Sequence, residues 1–225
     1  RAKKAGIVSI LTSGVNSSTN RTVLKLSEKY DIVKASFGLY PIDALASELE
    51  SEEASGFSRD TEPIDVDEEL RWIKRNKDKC ISIGECGLDY KWVKGKEKQQ
   101  QRVFQKIIDT AEKISKPIIV HSRKAESDAV EMLESSNVKN VVMHCFSGKK
   151  KLISRAADNG WHFSIPPVIT RLQHFQMLVD MVNINQLLTE TDAPYLSPFS
   201  GERNEPAFVA ETIKKIAEIK GMTKE

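Results

Sequence analysis

The sequence is poor in several features that would mark a particular class of protein. Only three cysteines occur in 225 residues, so no disulfide framework is expected and a reducing, cytoplasmic setting is favoured. No apolar run approaches the roughly 18 residues that cross a bilayer, which predicts no membrane association. The 34 basic and 32 acidic residues nearly cancel, so any nucleic acid would have to bind at a local site and not over a basic surface.

What the chain does contain is a repeated rhythm of short apolar runs and longer amphipathic stretches, which predicts βα units around a parallel sheet. Strands are predicted near the segments GIVSILT, VKASFG, ISIGE, PIIVH, NVVMH, WHFSI and QLLTET. Residues 97–114 carry an apolar stripe at helical spacing. Asp65, three residues before Glu68, predicts a capping box at the start of another helix.

The strand count favours a barrel. Seven strands are an awkward number for an open sheet in a continuous βα series, whereas a closed (β/α)8 barrel needs eight strands and about 250 residues. The chain starts with Arg1 and not with Met, so we expect a first βα unit to precede it. We predict an α/β fold, a (β/α)8 TIM barrel with its first βα unit missing or incomplete, and keep a doubly wound open sheet as the alternative. Residues 1–225 are expected to form one domain, with a polar surface insertion at 48–61.

Four residues able to bind a metal ion follow four of the predicted strands. They are Glu85, His121, His144 and Asp192. In a parallel barrel the carboxyl ends of the strands open onto one rim, where active sites lie. Imidazole nitrogens and carboxylate oxygens suit a divalent ion such as Zn²⁺, Mn²⁺ or Mg²⁺. The pattern predicts a site for one or two such ions.

Each of these residues also has a simpler interpretation. A single histidine at a strand end is more often a hydrogen-bonded core residue than a ligand. Glu85 could form a structural ion pair with Arg123. Asp192, which precedes Ala193 and Pro194, could cap a turn. Because all four are predicted to share one rim, the metal site is the better explanation of the set.

Two cysteines and two further histidines are predicted to have no part in the site. Cys86 and Cys145 each directly follow a ligand candidate. Side chains alternate along a strand, so both thiols are expected to point away from the ligands and to pack. His162 and His174 follow no comparable pattern and are expected to be structural or at the surface.

The ordered motifs IGECGLDY, PIIVHSRKAESD, HCFSG, LLTETDAPYLSP and GERNEPAFV resemble those of the TatD family. That family comprises metal-dependent hydrolases of the amidohydrolase type, many of them deoxyribonucleases. The resemblance implies a TIM barrel with a centre of one or two metal ions. It also implies that Glu85 bridges the ions, that His121 and His144 bind one of them, and that Asp192 binds the other or shuttles protons.

Two positions depart from the family pattern. The family begins with a strand that carries a His-x-His pair, and no such pair occurs in this sequence. Where the family has a histidine before proline, this chain has Tyr40 before Pro41. The first departure falls where the strand count already predicts a missing unit, so we expect truncation or omission of that unit and not its evolutionary loss.

The predicted activity is hydrolysis of phosphodiester bonds in DNA or a short nucleic acid, with no obligate protein partner. Asp192 would be the general base and, with Glu85, a catalytic residue. Arg123 and Ser147 are candidates for phosphate binding, and Asp89 and Asn204 are further substrate-binding candidates. The small net charge favours binding of a strand end, and hence an exonuclease.

Two other functions remain open from the sequence. The same metal residues would serve a metal-dependent esterase or amidase, for example an aminoacyl-nucleic-acid deacylase, because they do not encode the leaving group. A catalytically impaired barrel that acts as a binding scaffold is the non-enzymatic alternative, since the His-x-His pair is lacking.

Overall fold

The computed structural model describes residues 1–49 and 63–223. Most of the predicted insertion at 48–61 therefore lies outside the described residues. The chain divides into two compact units, a larger one of Leu11–Val142 and a smaller one of Arg1–Ile10 with Met143–Glu225. Within the described part, no helix combines the length and the apolar character needed to cross a bilayer. That residues 1–225 form one domain stays a prediction.

The larger unit contains strands that are hydrogen-bonded to one another in chain order. These strands are β1 (Ile10–Ser13), whose first residue belongs to the smaller unit, β2 (Val33–Phe37), β3 (Ser82–Asp89) and β4 (Ile118–Arg123). β2 and β3 are parallel with Phe37 opposite Ile83, and β3 and β4 are parallel with Gly87 opposite His121. Parallel pairing brings the carboxyl ends of β3 and β4 to the same edge, and both ends carry predicted site residues.

Helices follow these strands and cover the apolar residues of the sheet. They are α1 (Ser17–Lys29), α2 (Pro41–Ala44), α3 (Val66–Arg75), α4 (Glu97–Ile114) and α5 (Glu126–Glu134). The predicted stripe of α4 is buried through Phe104, Ile107 and Ile108, which accounts for the helical spacing of its apolar residues. Asp65 begins α3 by accepting a hydrogen bond from the Glu68 N–H at 2.9 Å, an N-cap that satisfies one of the helix's open donors.

The second segment of the smaller unit begins within β5 (Val141–His144), whose last two residues belong to it. It also contains β6 (His162–Ile165), β7 (Leu187–Thr189), α6 (Lys150–Asp158), α7 (Gln173–Met181) and α8 (Val209–Lys220). β6 and β7 are parallel, with Phe163 opposite Leu187. Phe163, Ile165 and Leu178 of this unit are fully buried.

The seven strand segments predicted from the sequence all form strands in the described residues. The alternation of β-strands with helices is likewise as predicted. Apolar runs of four to eight residues rich in Ile and Val carried the signal for the strands.

Candidate functional site

In the larger unit, His121 lies between two carboxylates. Its Nδ1 is 3.0 Å from Oε1 of Glu85, and its Nε2 is 2.9 Å from Oδ2 of Asp89. The two carboxylates differ in exposure, because the Glu85 side chain is 18% exposed whereas that of Asp89 is completely buried. We refer to Glu85, Asp89, His121 and Tyr40 as the Glu85 cluster. An imidazole fixed by one carboxylate and facing another is the arrangement in which histidine ligands of metal ions are commonly held.

The sequence around Glu85 explains how these side chains come so close. The register between β3 and β4 shifts between Ile83 and Cys86, which gives Glu85 partial exposure between two buried neighbours. Gly87, at a φ of 135°, lies beside His121, and a Cβ at this position would be 2.0 Å from the His121 carbonyl oxygen. Only glycine permits this approach of β3 to β4. The glycines of IGECGLDY thus position Glu85 and His121 next to each other.

Asp89 is buried within a complete set of hydrogen-bond donors. Its Oδ2 accepts from the Tyr40 hydroxyl at 2.7 Å and from His121 at 2.9 Å. Its Oδ1 accepts from the backbone N–H groups of Lys91 at 2.9 Å and Trp92 at 3.2 Å. These bonds offset the cost of removing a carboxylate from water. The observed surroundings therefore do not favour the predicted contact of Asp89 with substrate, because no part of its side chain is accessible.

The ionisation of the Glu85 cluster follows from burial and hydrogen bonding. Burial would raise the pKa of Asp89, but its hydrogen bond with His121 holds that pKa below the ordinary value. Burial would lower the pKa of His121, but its hydrogen bonds to Asp89 and Glu85 raise that pKa. Burial raises the pKa of Tyr40, so its hydroxyl stays a donor. Asp89 is thus a charged acceptor, and the ring nitrogen that faces it carries a proton.

The smaller unit contains a second histidine held by carboxylates. His144 Nδ1 is hydrogen-bonded to Oε2 of Glu190, and its Nε2 lies 3.8 Å from Oδ1 of Asp192. Glu190 Oε1 also accepts from the backbone N–H of Cys145 at 3.1 Å and from its thiol at 3.0 Å. Burial would raise the pKa of Glu190, but the charge of His144 holds it below the ordinary value. His144, Cys145, Glu190 and Asp192 are called the His144 cluster below.

Glu190 is a functional candidate that the sequence analysis missed. It lies two residues before Asp192 in the segment TETD, so an extended backbone would place both carboxylates on the same face. The Glu190 N–H continues the ladder of β6 and β7 by donating to the Ile165 carbonyl at 3.1 Å. The position of Glu190 near the end of a predicted strand and beside a ligand candidate was the signal for this residue that the sequence contains.

The structure corrects the prediction for one of the two cysteines. Cys86 is fully buried, burial raises the pKa of its thiol, and its packing role is confirmed. Cys145 was expected to point away from the ligands, and this is wrong. Its φ of 43° breaks the strand alternation just after β5 ends, and its Sγ lies within 4.8 Å of ligand atoms of His144 and Asp192.

Asn204 is hydrogen-bonded to the loop that contains Asp192. Asp192 has a φ of 54° and a side chain that is 32% exposed, while its carbonyl accepts from the Tyr195 N–H at 2.8 Å. The buried Asn204 amide donates to the carbonyls of Thr191 and Tyr195 on either side of Asp192. Asn204 therefore holds the Asp192 loop, and its burial does not favour the predicted contact with substrate.

The other predicted substrate residues are accessible. Arg123, at the end of β4, is exposed, and its guanidinium lies 5.4 Å from the centre of the Trp92 ring. Ser147 is exposed and donates to the Cys145 carbonyl at 3.2 Å. His174, expected to be structural, donates through Nε2 to the Phe146 carbonyl at 3.0 Å. Phosphate binding by Arg123 and Ser147 stays a prediction.

The donor atoms of both clusters suit a divalent ion. Glu85 and His121 offer oxygen and nitrogen in the larger unit, and His144 and Asp192 offer the same pair in the smaller one. Such N/O sets suit Zn²⁺ and Mn²⁺, with carboxylates also suiting Mg²⁺. The chemistry of the residues therefore fits a metal ion. That the four residues bind common ions stays a prediction.

Comparison with known proteins shows which family the chain resembles over its whole length. The family described as TatD related DNase matches residues 1–225. The uncharacterized metal-dependent hydrolase YabD of Bacillus subtilis is 32% identical over 99% of this chain and 84% of its own length. Human deoxyribonuclease TATDN3 is 31% identical over all of this chain and 81% of its own length.

Among solved structures, YjjV, a TatD homolog from Escherichia coli, superposes with a TM-score of 0.81. It is 24% identical, and the match covers 97% of this chain and 81% of the YjjV chain. At this identity the likeness concerns the fold alone. The predicted fold class, an α/β barrel of the (β/α)8 type represented in this chain by seven described strands, is confirmed.

Proposed function

Because the chain belongs to the TatD-related DNase family and is a metal-dependent hydrolase, we propose that it is a deoxyribonuclease that removes nucleotides from a DNA end. The near balance of 34 basic and 32 acidic residues supports binding of a few nucleotides in a local site and not along a duplex. Its three free thiols suit the reducing cytoplasm, where we propose that it acts without an obligate protein partner.

One observation carries the proposal. In each unit a histidine is hydrogen-bonded through one ring nitrogen to a largely buried carboxylate, while its other ring nitrogen faces a more exposed one. Buried outer carboxylates fix the tautomer of histidine ligands in metal sites. We assign ion binding to Glu85 and His121 in the larger unit and to His144 and Asp192 in the smaller one, with one or two ions of Mg²⁺, Mn²⁺ or Zn²⁺.

A bound divalent ion supplies charge that polarises a phosphoryl oxygen and lowers the pKa of water. The chain's own residues supply the rest. Asp192, with its side chain 32% exposed, takes the proton from the attacking water at a carboxylate oxygen. The water oxygen bonds to phosphorus as the bond from phosphorus to the leaving nucleotide oxygen breaks. Arg123 holds the phosphate through its guanidinium and Ser147 through its hydroxyl.

The test is a nuclease assay of the full chain on single-stranded DNA in Mg²⁺, Mn²⁺ or Zn²⁺. We expect Glu85→Ala and His144→Ala to lower the rate at least about a hundredfold, since each removes a ligand. His174→Ala is the matched control, because this histidine contacts a backbone carbonyl and an aromatic ring outside both clusters. Unchanged cleavage in the two ligand variants would refute the assignment.

Two substrate comparisons separate the proposal from its alternatives. An exonuclease degrades linear single-stranded DNA and leaves a circular strand of the same sequence intact, so equal cleavage of both would contradict action at an end. Faster hydrolysis of an aminoacyl-nucleic-acid ester than of DNA would favour the deacylase. Absence of hydrolysis with tight metal binding would favour the scaffold.

A further inference from the structure

We propose that Tyr40 and Asp89 are positioning residues that hold the His121 ring so that its Nδ1 faces the metal ion. The inference rests on the proposed role of His121 as a ligand and goes beyond it by assigning a task to two residues that bind neither ion nor substrate. It follows from which donors occupy the two carboxylate oxygens of Asp89.

The carboxylate of Asp89 has no capacity left for an ion. Two ionised oxygens offer about four lone-pair sites, and four donors contact them: the Tyr40 hydroxyl, His121 Nε2 and the backbone N–H groups of Lys91 and Trp92. Its side chain is also completely buried. Asp89 can therefore act on an ion only through His121.

The direction of the His121 hydrogen bond decides which nitrogen remains for the ion. Nε2 lies 2.9 Å from Asp89 Oδ2 and 3.2 Å from the Tyr40 hydroxyl oxygen, and both of these atoms can accept its proton. Nδ1 lies on the side of Glu85, at 3.0 Å. In the neutral imidazole with its proton on Nε2, the lone pair of Nδ1 thus lies on the side of the partly exposed Glu85 carboxylate.

Both positioning residues are rigidly supported. The ring of Tyr40 packs on the His121 ring with their centres 4.9 Å apart, and Tyr40 is part of a buried cluster with Ile42 and Val93. The backbone of Asp89 is fixed by Gln100 of α4, which donates to the Asp89 carbonyl at 2.8 Å and accepts from its N–H at 2.7 Å. A histidine held from a rigid outer shell loses little freedom when it binds an ion.

The variants that test this are Asp89→Asn and Tyr40→Phe. In Asp89→Asn, the new side-chain amide would present an NH₂ group to Nε2 in one of its two orientations, which would move the proton to Nδ1 and turn a donor toward the ion. The chain offers a matched control pair, because the Tyr90 hydroxyl donates to Asp128 Oδ2 at 2.8 Å without contacting His121. Asp128→Asn makes the same substitution elsewhere in the larger unit, and Tyr90→Phe removes the corresponding hydroxyl donor.

Two readouts are needed, of which neither is activity. The first is the ¹⁵N spectrum of the His121 ring in the metal-free protein, at a pH where the ring is neutral; we expect the proton on Nε2 in the unaltered chain. The second is Zn²⁺ affinity by calorimetry. Loss of an outer-shell partner typically weakens metal binding 10- to 100-fold. We expect a loss of about that size for Asp89→Asn, a smaller one for Tyr40→Phe, and affinities within about twofold of the unaltered protein for both controls.

The outcomes separate this inference from the proposed function. If His121→Ala leaves Zn²⁺ affinity unchanged, the proposed ligand role fails. If His121→Ala weakens Zn²⁺ binding while Asp89→Asn and Tyr40→Phe behave like their controls, the positioning role alone fails. A proton on Nδ1 in the unaltered protein would also overturn it, and this measurement decides the question even if Asp89→Asn does not fold.

Discussion

Replacing Gly38 by alanine should displace Glu85 and destabilise the larger unit. A Cβ on Gly38 would lie 2.3 Å from the Gly84 carbonyl carbon and 2.4 Å from both the N and O atoms of Glu85. Non-bonded carbon atoms prefer about 3.5–4.0 Å, so the contact with the carbonyl carbon is more than an ångström too short, and the contacts with N and O are also far below van der Waals distance. All three atoms belong to the backbone, which cannot rotate away as a side chain would.

The surrounding hydrogen bonds set the magnitude of the effect. Asn20 donates to the Gly38 carbonyl at 2.9 Å and accepts from its N–H at 3.0 Å, while the Glu85 N–H donates to the Gly14 carbonyl at 3.2 Å. Overpacking costs about 1–3 kcal/mol, and each hydrogen bond lost in relieving it costs about 1 kcal/mol. We therefore expect Gly38→Ala to lower the free energy of unfolding by roughly 3–5 kcal/mol, or about 6–20 °C in Tm.

The control is Gly95→Ala, where nothing lies within 4 Å of the added Cβ and only the φ of 79° opposes a side chain. That strain costs about 1–2 kcal/mol. Urea unfolding of the metal-free proteins measures both changes, and calorimetry with Zn²⁺ should show weaker binding for Gly38→Ala alone. A Gly38→Ala protein that is as stable as Gly95→Ala and binds Zn²⁺ normally would refute the reasoning.

Three further results are expected. Glu190→Gln removes the charged partner of His144 Nδ1 and should weaken Zn²⁺ binding about 10- to 100-fold by calorimetry; an unchanged affinity would contradict the assignment. A chelator should lower Tm, and Zn²⁺ at about 100 times its Kd should restore about 2.7 kcal/mol of stability; at the same Zn²⁺ concentration the gain should be smaller in His121→Ala. In the metal-free protein the raised pKa of His121 stabilises the fold below its ordinary pKa of 6.5, and this contribution is lost as pH rises through the raised value. Urea titrations across pH should show that loss, and Asp89→Asn should make it smaller, since Glu85 still raises the pKa of His121.

The fold was largely readable from the sequence because it depends on periodic burial. Every predicted strand exists, and α4 has the predicted bounds of Glu97–Ile114. An apolar run bounded by polar residues indicates that its segment is buried in the folded protein. This signal can be read for each segment separately, without knowledge of the rest of the fold. The ligand candidates were readable for a related reason, since each lies close to the end of an apolar run, although β3 and β4 continue past Glu85 and His121.

The roles of individual side chains at the strand ends were harder to predict from the sequence. There the backbone leaves the extended conformation, as at Cys145 with a φ of 43° and Asp192 with a φ of 54°. A period of two then no longer states where a side chain points. Asp89 was expected near substrate, and its side chain is buried. The direction of this side chain depends on the register shift within β3. It also depends on Gln100 of α4, which lies eleven residues further along the chain.

A physical requirement could nevertheless have indicated both outer carboxylates. A histidine that offers one ring nitrogen to an ion must place the proton of the other nitrogen on an acceptor, since a buried donor without one costs about 1–3 kcal/mol. Two ligand histidines therefore demand two acceptors beyond the ligands themselves. The larger unit meets this demand at Nε2 of His121 through Asp89, and the smaller unit at Nδ1 of His144 through Glu190. Because the two rings donate to these acceptors through opposite nitrogens, the two imidazoles are held as opposite tautomers when neutral. The acceptors, and not the histidines alone, therefore determine which ring nitrogen each histidine offers to an ion.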